Sequence, residues 1–117
     1  MSNLLKFLLK YFNKNINKPL KMYIIVRKDL DATYRCVQGG HAVAQFAIDH
    51  IEKFKEWNNK TIVYLGVNNE YVMQLLENKL INSGKLFSWF IEPDLHNALT
   101  SIACVDTGEI FKDLKII

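Results

Sequence analysis

The chain has few of the residues that mark special folds. It holds two cysteines, two prolines and five glycines in 117 residues. Two cysteines, Cys36 and Cys104, cannot build a disulfide scaffold or a zinc site, and both sit among apolar neighbours. They read as buried, reduced thiols of a cytoplasmic protein. No glycine-rich phosphate loop is present, because Gly39-Gly40 fall within a segment of helical spacing. No apolar run is long enough to span a bilayer, since lysines interrupt the only candidate, near the amino terminus. Repeats and low-complexity tracts are also missing. Half the residues are hydrophobic and 23% are charged, as in an ordinary globular protein, and the length suits one domain large enough for a core.

Acidic residues are missing from one place in particular. Residues 1–21 contain Lys6, Lys10, Lys14, Lys18 and Lys21 and no acid, so residues 22–117 carry −2 of a formal net charge of +3. The basic balance belongs to an amino-terminal extension, which excludes a charge argument for nucleic-acid binding by the domain as a whole. In the extension Leu4, Leu5, Phe7, Leu8, Leu9, Tyr11, Phe12 and Ile16 fall on one helical face, and Lys6, Lys10, Asn13 and Lys14 on the other. Asn17-Lys18-Pro19 ends this helix. Its apolar face is open to three readings: packing on the domain or in a homodimer, lying on an anionic membrane surface, or a disordered leader. A chain starting at Met22 would still contain the whole domain, 22–117.

The domain reads as β-α-β-α-β-β, an α/β fold with a small four-stranded mixed sheet and helices packed on it. The expected elements are a strand at Met22–Arg27, a helix from Arg35 to about Phe54, and a strand at Thr61–Val67. A helix capped by Asn68 or Asn69 follows and runs to about Asn82. Strands at Leu86–Ile91 and Thr100–Val105 flank a loop over residues 92–97, and Glu109–Ile117 closes the chain. The first two strands should be parallel through a right-handed crossover, and the last two antiparallel. On the long helix, Cys36, Gly40, Val43, Ala44, Ala47, Ile51 and Phe54 are expected to face the sheet. Gly39 and Gly40 are read as allowing close packing. Arg35, Gln38, His41 and Gln45 share another side.

Ligands of open α/β sheets bind at the carboxyl ends of strands. Here Met22–Val26 ends in Arg27, Lys28 and Asp29, next to a helix amino terminus that favours anions. Arg27, Lys28 and Arg35 could form a local basic patch. Asp29 reads as a loop cap, and Trp57 and Trp89 as core or rim.

The segments KMYIIVRKDL, VQGGHAVAQF, WNNKTIVYLGV and EPDLHNALTSIACV resemble the type II peptidyl-tRNA hydrolases of archaea and eukaryotes, most nearly the short relatives in phages and other viruses. The resemblance covers about residues 21–117. It implies hydrolysis of the ester between peptide and tRNA without cofactor or metal, with tRNA as partner. Such chemistry needs an activated water, oxyanion donors and basic groups for the CCA-end phosphates. Gln38 matches the family glutamine, His41-Ala42 its His-Ala pair, Asp94 its loop aspartate and Thr100 the threonine opening the last strand. Tyr34, with Arg35 beside it, stands where the family has a lysine. The mechanism so implied has Asp94 and Gln38 handling the water, and Arg35, the helix N–H groups and Thr100 holding the oxyanion. Lys28 and Arg27 would meet phosphate. His41 reads as a base near neutrality or as a hydrogen-bonded structural group. Asp29, Tyr34, His96 and Asn97 are the remaining substrate-side candidates.

Overall fold

The computed structural model describes residues 2–16 and 18–117, apart from the side chains of residues 11–16. In chain order the elements are α1 (Asn3–Ile16), β1 (Lys21–Arg27), α2 (Ala32–Asp49), α3 (Ile51–Trp57), β2 (Thr61–Val67), α4 (Glu70–Asn82), β3 (Ser88–Glu92), β4 (Ala98–Asp106) and β5 (Lys115–Ile116). Short 3-10 turns at Pro93–Leu95 and Glu109–Phe111 flank β4.

The sheet is α/β and mixed, as expected, but has five strands in the order β3-β4-β1-β2-β5. β1 and β2 run parallel, while β4 is antiparallel to both β1 and β3. The fifth strand comes from the closing segment. Its two residues pair with Leu65 and Gly66, a length too short to leave an alternating pattern in the sequence.

Two apolar cores lie on the two faces. Under α2 and α3 are Met22, Ile24, Val26, Phe46, Trp57, Ala103 and Val105. Under α4 are Ile25, Leu65, Met73, Leu80, Ile102, Cys104 and Phe111. β1 is buried on both sides, so its sequence is an unbroken apolar run. Trp57 is buried and donates its indole N–H to Thr61 O at 2.9 Å, whereas Trp89 is 46% exposed.

The long helix departs from expectation in three ways. It begins at Ala32, capped by Asp31, whose carboxylate accepts from Tyr34 N at 2.9 Å. It breaks at His50 (φ −137°, ψ 56°), whose ring bonds Phe87 O at 3.0 Å. And its buried arc is Gln38, Gly39, Ala42 and Phe46. Cys36, Gly40, Ala44 and Ile51 are exposed, while Val43 and Phe54 pack partly against the core. The apolar count misplaced the arc because a glutamine lies at its centre.

Of the adjacent pair, Gly39 serves close packing and Gly40 does not. A Cβ at Gly39 would stand 2.8 Å from two Tyr64 ring-end atoms, while one at Gly40 would meet nothing within 4 Å. Cys104 is buried as expected, but Cys36 is exposed.

Candidate active site

Within a helix, residues four apart stand one above the other on one face. Tyr34 and Gln38 are such a pair in α2. Gln38 Nε2 and the Tyr34 hydroxyl both donate to Glu92 Oε1, each at 3.2 Å. Gln38 Oε1 accepts the Thr100 hydroxyl at 2.6 Å. The Gln38 backbone carbonyl accepts the Ser101 hydroxyl, also at 2.6 Å. Gln38, Thr100 and Ser101 are fully buried, and Glu92 nearly so. This polar chain lies at the carboxyl ends of β1 and β3, beside the amino terminus of α2.

The two hydroxyls reach one helix because β4 carries a bulge. Phe90 pairs with Ser101 and Ile91 with Leu99, which leaves Thr100 as an extra residue. Neighbouring strand residues normally point to opposite faces. The bulge turns both Thr100 and Ser101 toward α2 and sends Leu99 into the core under α4.

The 3-10 turn that follows Glu92 presents Asp94 to solvent. Burial raises the pKa of the Tyr34 phenol, and the charges of Glu92 and then Asp94 raise it further. Tyr34 therefore stays protonated and remains a donor at neutral pH. His96 and Asn97 both take positive φ (52° and 60°) and line a cleft of about 410 Å³ with Glu70, Gln74, Ile91 and Leu95. His41 is exposed on α2, its ring stacked on Phe90 at 4.3 Å.

The basic residues are placed differently from the reading as an anion patch. Helical side chains lean toward the amino terminus. Arg35 accordingly reaches back into the loop before α2, donating to Leu30 O at 2.6 Å and Lys28 O at 2.7 Å. Arg27 forms two bonds to Asp29, at 3.0 and 2.8 Å, and one to Leu99 O at 3.2 Å. Glu70 accepts Leu99 N at 2.7 Å and completes this cluster. Asp29 is thus the partner of Arg27, whose hydrogen bond holds its carboxylate below the usual range, and the helix cap is Asp31. Lys28 lies along Gly66 and lines a separate cleft with Asn68, Asp113 and Lys115.

The structure brings Tyr34, Gln38 and Thr100 together with Asp94 nearby, and it commits Arg27 to Asp29 and the Leu99 carbonyl of β4, and Arg35 to the carbonyls of the loop before α2. Sequence reasoning missed Glu92 and Ser101. For Glu92 a signal existed, since alternation from Ser88 through Phe90 puts it on the α2 face of β3. Among the described residues, no group of three His, Cys, Asp or Glu side chains is placed to hold a metal ion. No described helix is long and apolar enough to cross a membrane.

Residues 20–106, from the start of β1 through β4, match the family of peptidyl-tRNA hydrolase PTH2. The chain belongs to that family. The match contains every member of the buried polar chain, and the activity the family implies is hydrolysis of peptidyl-tRNA. Among solved structures, a protein of unknown function from Agrobacterium tumefaciens str. C58 is similar, with a TM-score of 0.64 at 12% identity over 84% of this chain and 97% of that one. At that identity the likeness concerns the fold alone. No curated protein matches the chain. For this peptidyl-tRNA hydrolase family member, Tyr34 occupies the position one turn before Gln38 in space as well as in sequence, since both reach Glu92.

Proposed function

We propose that this chain cleaves the ester between the peptide and the terminal ribose of tRNA, using a water activated by side chains and no metal. The observation that carries the reading is the Tyr34–Glu92–Gln38–Thr100 chain, with the exposed Asp94 carboxylate beside it. In this scheme Asp94 takes a proton from water as its oxygen bonds to the ester carbon. The amino-terminal N–H groups of α2 and the Tyr34 hydroxyl, released from Glu92, face the developing oxyanion. Collapse of the tetrahedral intermediate breaks the bond to the ribose oxygen, which receives the proton from Asp94.

Gln38 and Thr100 are buried and act as positioning residues: they fix Glu92, and Glu92 holds the Tyr34 hydroxyl in place until it turns to the oxyanion. Arg35 holds the loop leading into α2, and Lys28 is the basic side chain offered to phosphate. His41 on α2, and His96 and Asn97 in the cleft beside α4, are the further side chains offered to the CCA end. A tRNA substrate places this activity in the cytoplasm.

A second reading is a weak or inactive member of the fold that binds tRNA or a protein partner. It is favoured by Tyr34 in the lysine's position and by the commitment of both arginines to contacts within the domain, Arg27 to Asp29 and Leu99 O and Arg35 to the loop before α2. Release of the acyl group from an N-blocked aminoacyl-tRNA separates the two. The hydrolase reading expects Asp94→Asn to lose about 10²–10⁴ of the rate and Gln38→Ala to lose less. Wild-type release no faster than buffer would falsify it.

A further inference from the structure

The amino-terminal helix has a face that the domain does not cover. In α1, Leu4, Leu5, Leu8 and Leu9 occupy one arc and are 68%, 46%, 50% and 44% exposed. Lys6 and Lys10 lie on the opposite arc, also exposed. Four leucines in water on one helix face call for a partner, and charge decides among the candidates. A second copy would bring another extension with five lysines and no acid against the first, so like charges would flank the joined apolar faces. An RNA backbone would meet the lysines and leave the leucines wet. An anionic bilayer receives both, with leucines among acyl chains and lysines at headgroups.

We infer that α1 is an interfacial anchor that lies on an anionic lipid surface. Its 14 residues make a helix of about 21 Å, shorter than the roughly 30 Å needed to span hydrocarbon, so it lies in the interface plane. It joins the domain at Lys21, the amino-terminal end of β1, whereas the polar chain stands at the carboxyl end. Seven extended residues put these ends about 20 Å apart, so a membrane-bound chain would keep the mouth of the site open to a large soluble substrate. The inference does not depend on the hydrolase reading.

The test is co-sedimentation of the full chain with vesicles of phosphatidylcholine alone, or with roughly a third phosphatidylserine. Binding to the anionic vesicles is expected to be at least about tenfold tighter and to weaken as salt rises. Leu5→Asp/Leu8→Asp should abolish pelleting, and Lys6→Glu/Lys10→Glu should erase the preference for anionic lipid. Both variants should keep the wild-type melting curve, because all four substituted side chains are exposed. Absence of wild-type pelleting overturns the inference, as does equal pelleting of the leucine variant. So does a dimer in analytical ultracentrifugation that the leucine variant dissolves, because the apolar face would then belong to a second copy. A loss of tRNA affinity in the lysine variant without any vesicle binding would assign the helix to RNA instead.

Discussion

The Thr100 hydroxyl donates to Gln38 Oε1 at 2.6 Å, and neither side chain touches solvent. This contact joins the bulge of β4 to the centre of α2. It also fixes the amide of Gln38, which can then direct Nε2 only toward Glu92.

Removing one partner of a buried hydrogen bond costs more than removing both. Thr100→Val should therefore destabilise the domain by about 1–3 kcal/mol. Gln38→Leu should cost less in that background than alone, because the amide has already lost its Thr100 partner, while the loss of its bond to Glu92 is common to both. Urea unfolding of the two single variants and the double variant closes the cycle, with an expected coupling of about 0.5–3 kcal/mol. Additive losses would show that the pair is not energetically linked.

Glu92 is the hub of the network, and its loss should propagate. Glu92→Ala leaves Gln38 Nε2 buried without its acceptor and frees Tyr34. Turnover of N-blocked aminoacyl-tRNA is expected to fall at least about tenfold, through loss of positioning. Tyr34→Phe keeps the carboxylate and loses one donor, so its stability should stay closer to wild type. If Glu92→Ala turns over at the wild-type rate, the polar chain is structural and the proposed mechanism fails.

The adjacent glycines of α2 should respond in opposite directions. At Gly40 nothing stands near an added Cβ, and alanine in a helix interior gains about 0.5–1 kcal/mol over glycine. At Gly39 the same propensity gain is opposed by Tyr64 at 2.8 Å and Ile24 at 3.0 Å. Overpacking costs about 1–3 kcal/mol, which outweighs it. Thermal melts should show Gly40→Ala above wild type and Gly39→Ala below it.

Much of this fold was readable because strand and helix periods leave clear marks. The apolar run of Met22–Val26, the branched run of Thr61–Val67 and the Asn69 cap of α4 all appear where their residue types place them. The fourth strand was placed at Thr100–Val105, and the structure adds residues at both ends because the bulge at Thr100 conceals its first pairs. The arc of α2 was hidden by Gln38, a polar residue at a core position that only a partner from another strand can satisfy. The break at His50 depends on a contact with Phe87 O, 37 residues away. For Glu92 the alternation of β3 gives the face, but its two donors from α2 lie 58 and 54 residues away in the chain.

Thiol chemistry should separate the two cysteines. Burial pushes the Cys104 thiol up to about 12, so almost no thiolate forms near neutral pH, and the side chain is also out of reach. Cys36 is exposed. A thiol reagent such as Ellman's should titrate one thiol in the folded protein and two in denaturant. Two fast thiols without denaturant would contradict the packing of β4 under α4.

Acid stability follows from two carboxylates with lowered pKa. The hydrogen bond from Arg27 lowers that of Asp29, and those from Ser88 and then Gln45 lower that of Asp49. In the unfolded chain each should titrate near the ordinary value of about 3.9. A folded pKa below the unfolded one means that the unfolded state takes up protons first as pH falls. The stabilisation is thus complete above about pH 5 and disappears as pH drops through the unfolded and then the folded values. Urea unfolding at successive pH values should show stability falling below about pH 5. Asp29→Asn and Asp49→Asn should each lower stability at neutral pH and flatten the acid limb, because the substituted residue no longer titrates. Asp29 ties the end of β1 to Leu99 through Arg27, and Asp49 ties the end of α2 to β3 through Ser88. The two sites share no partner, so the double variant should show the sum of the two effects. An acid limb unchanged from wild type in both variants would mean that the pH dependence arises from other carboxylates.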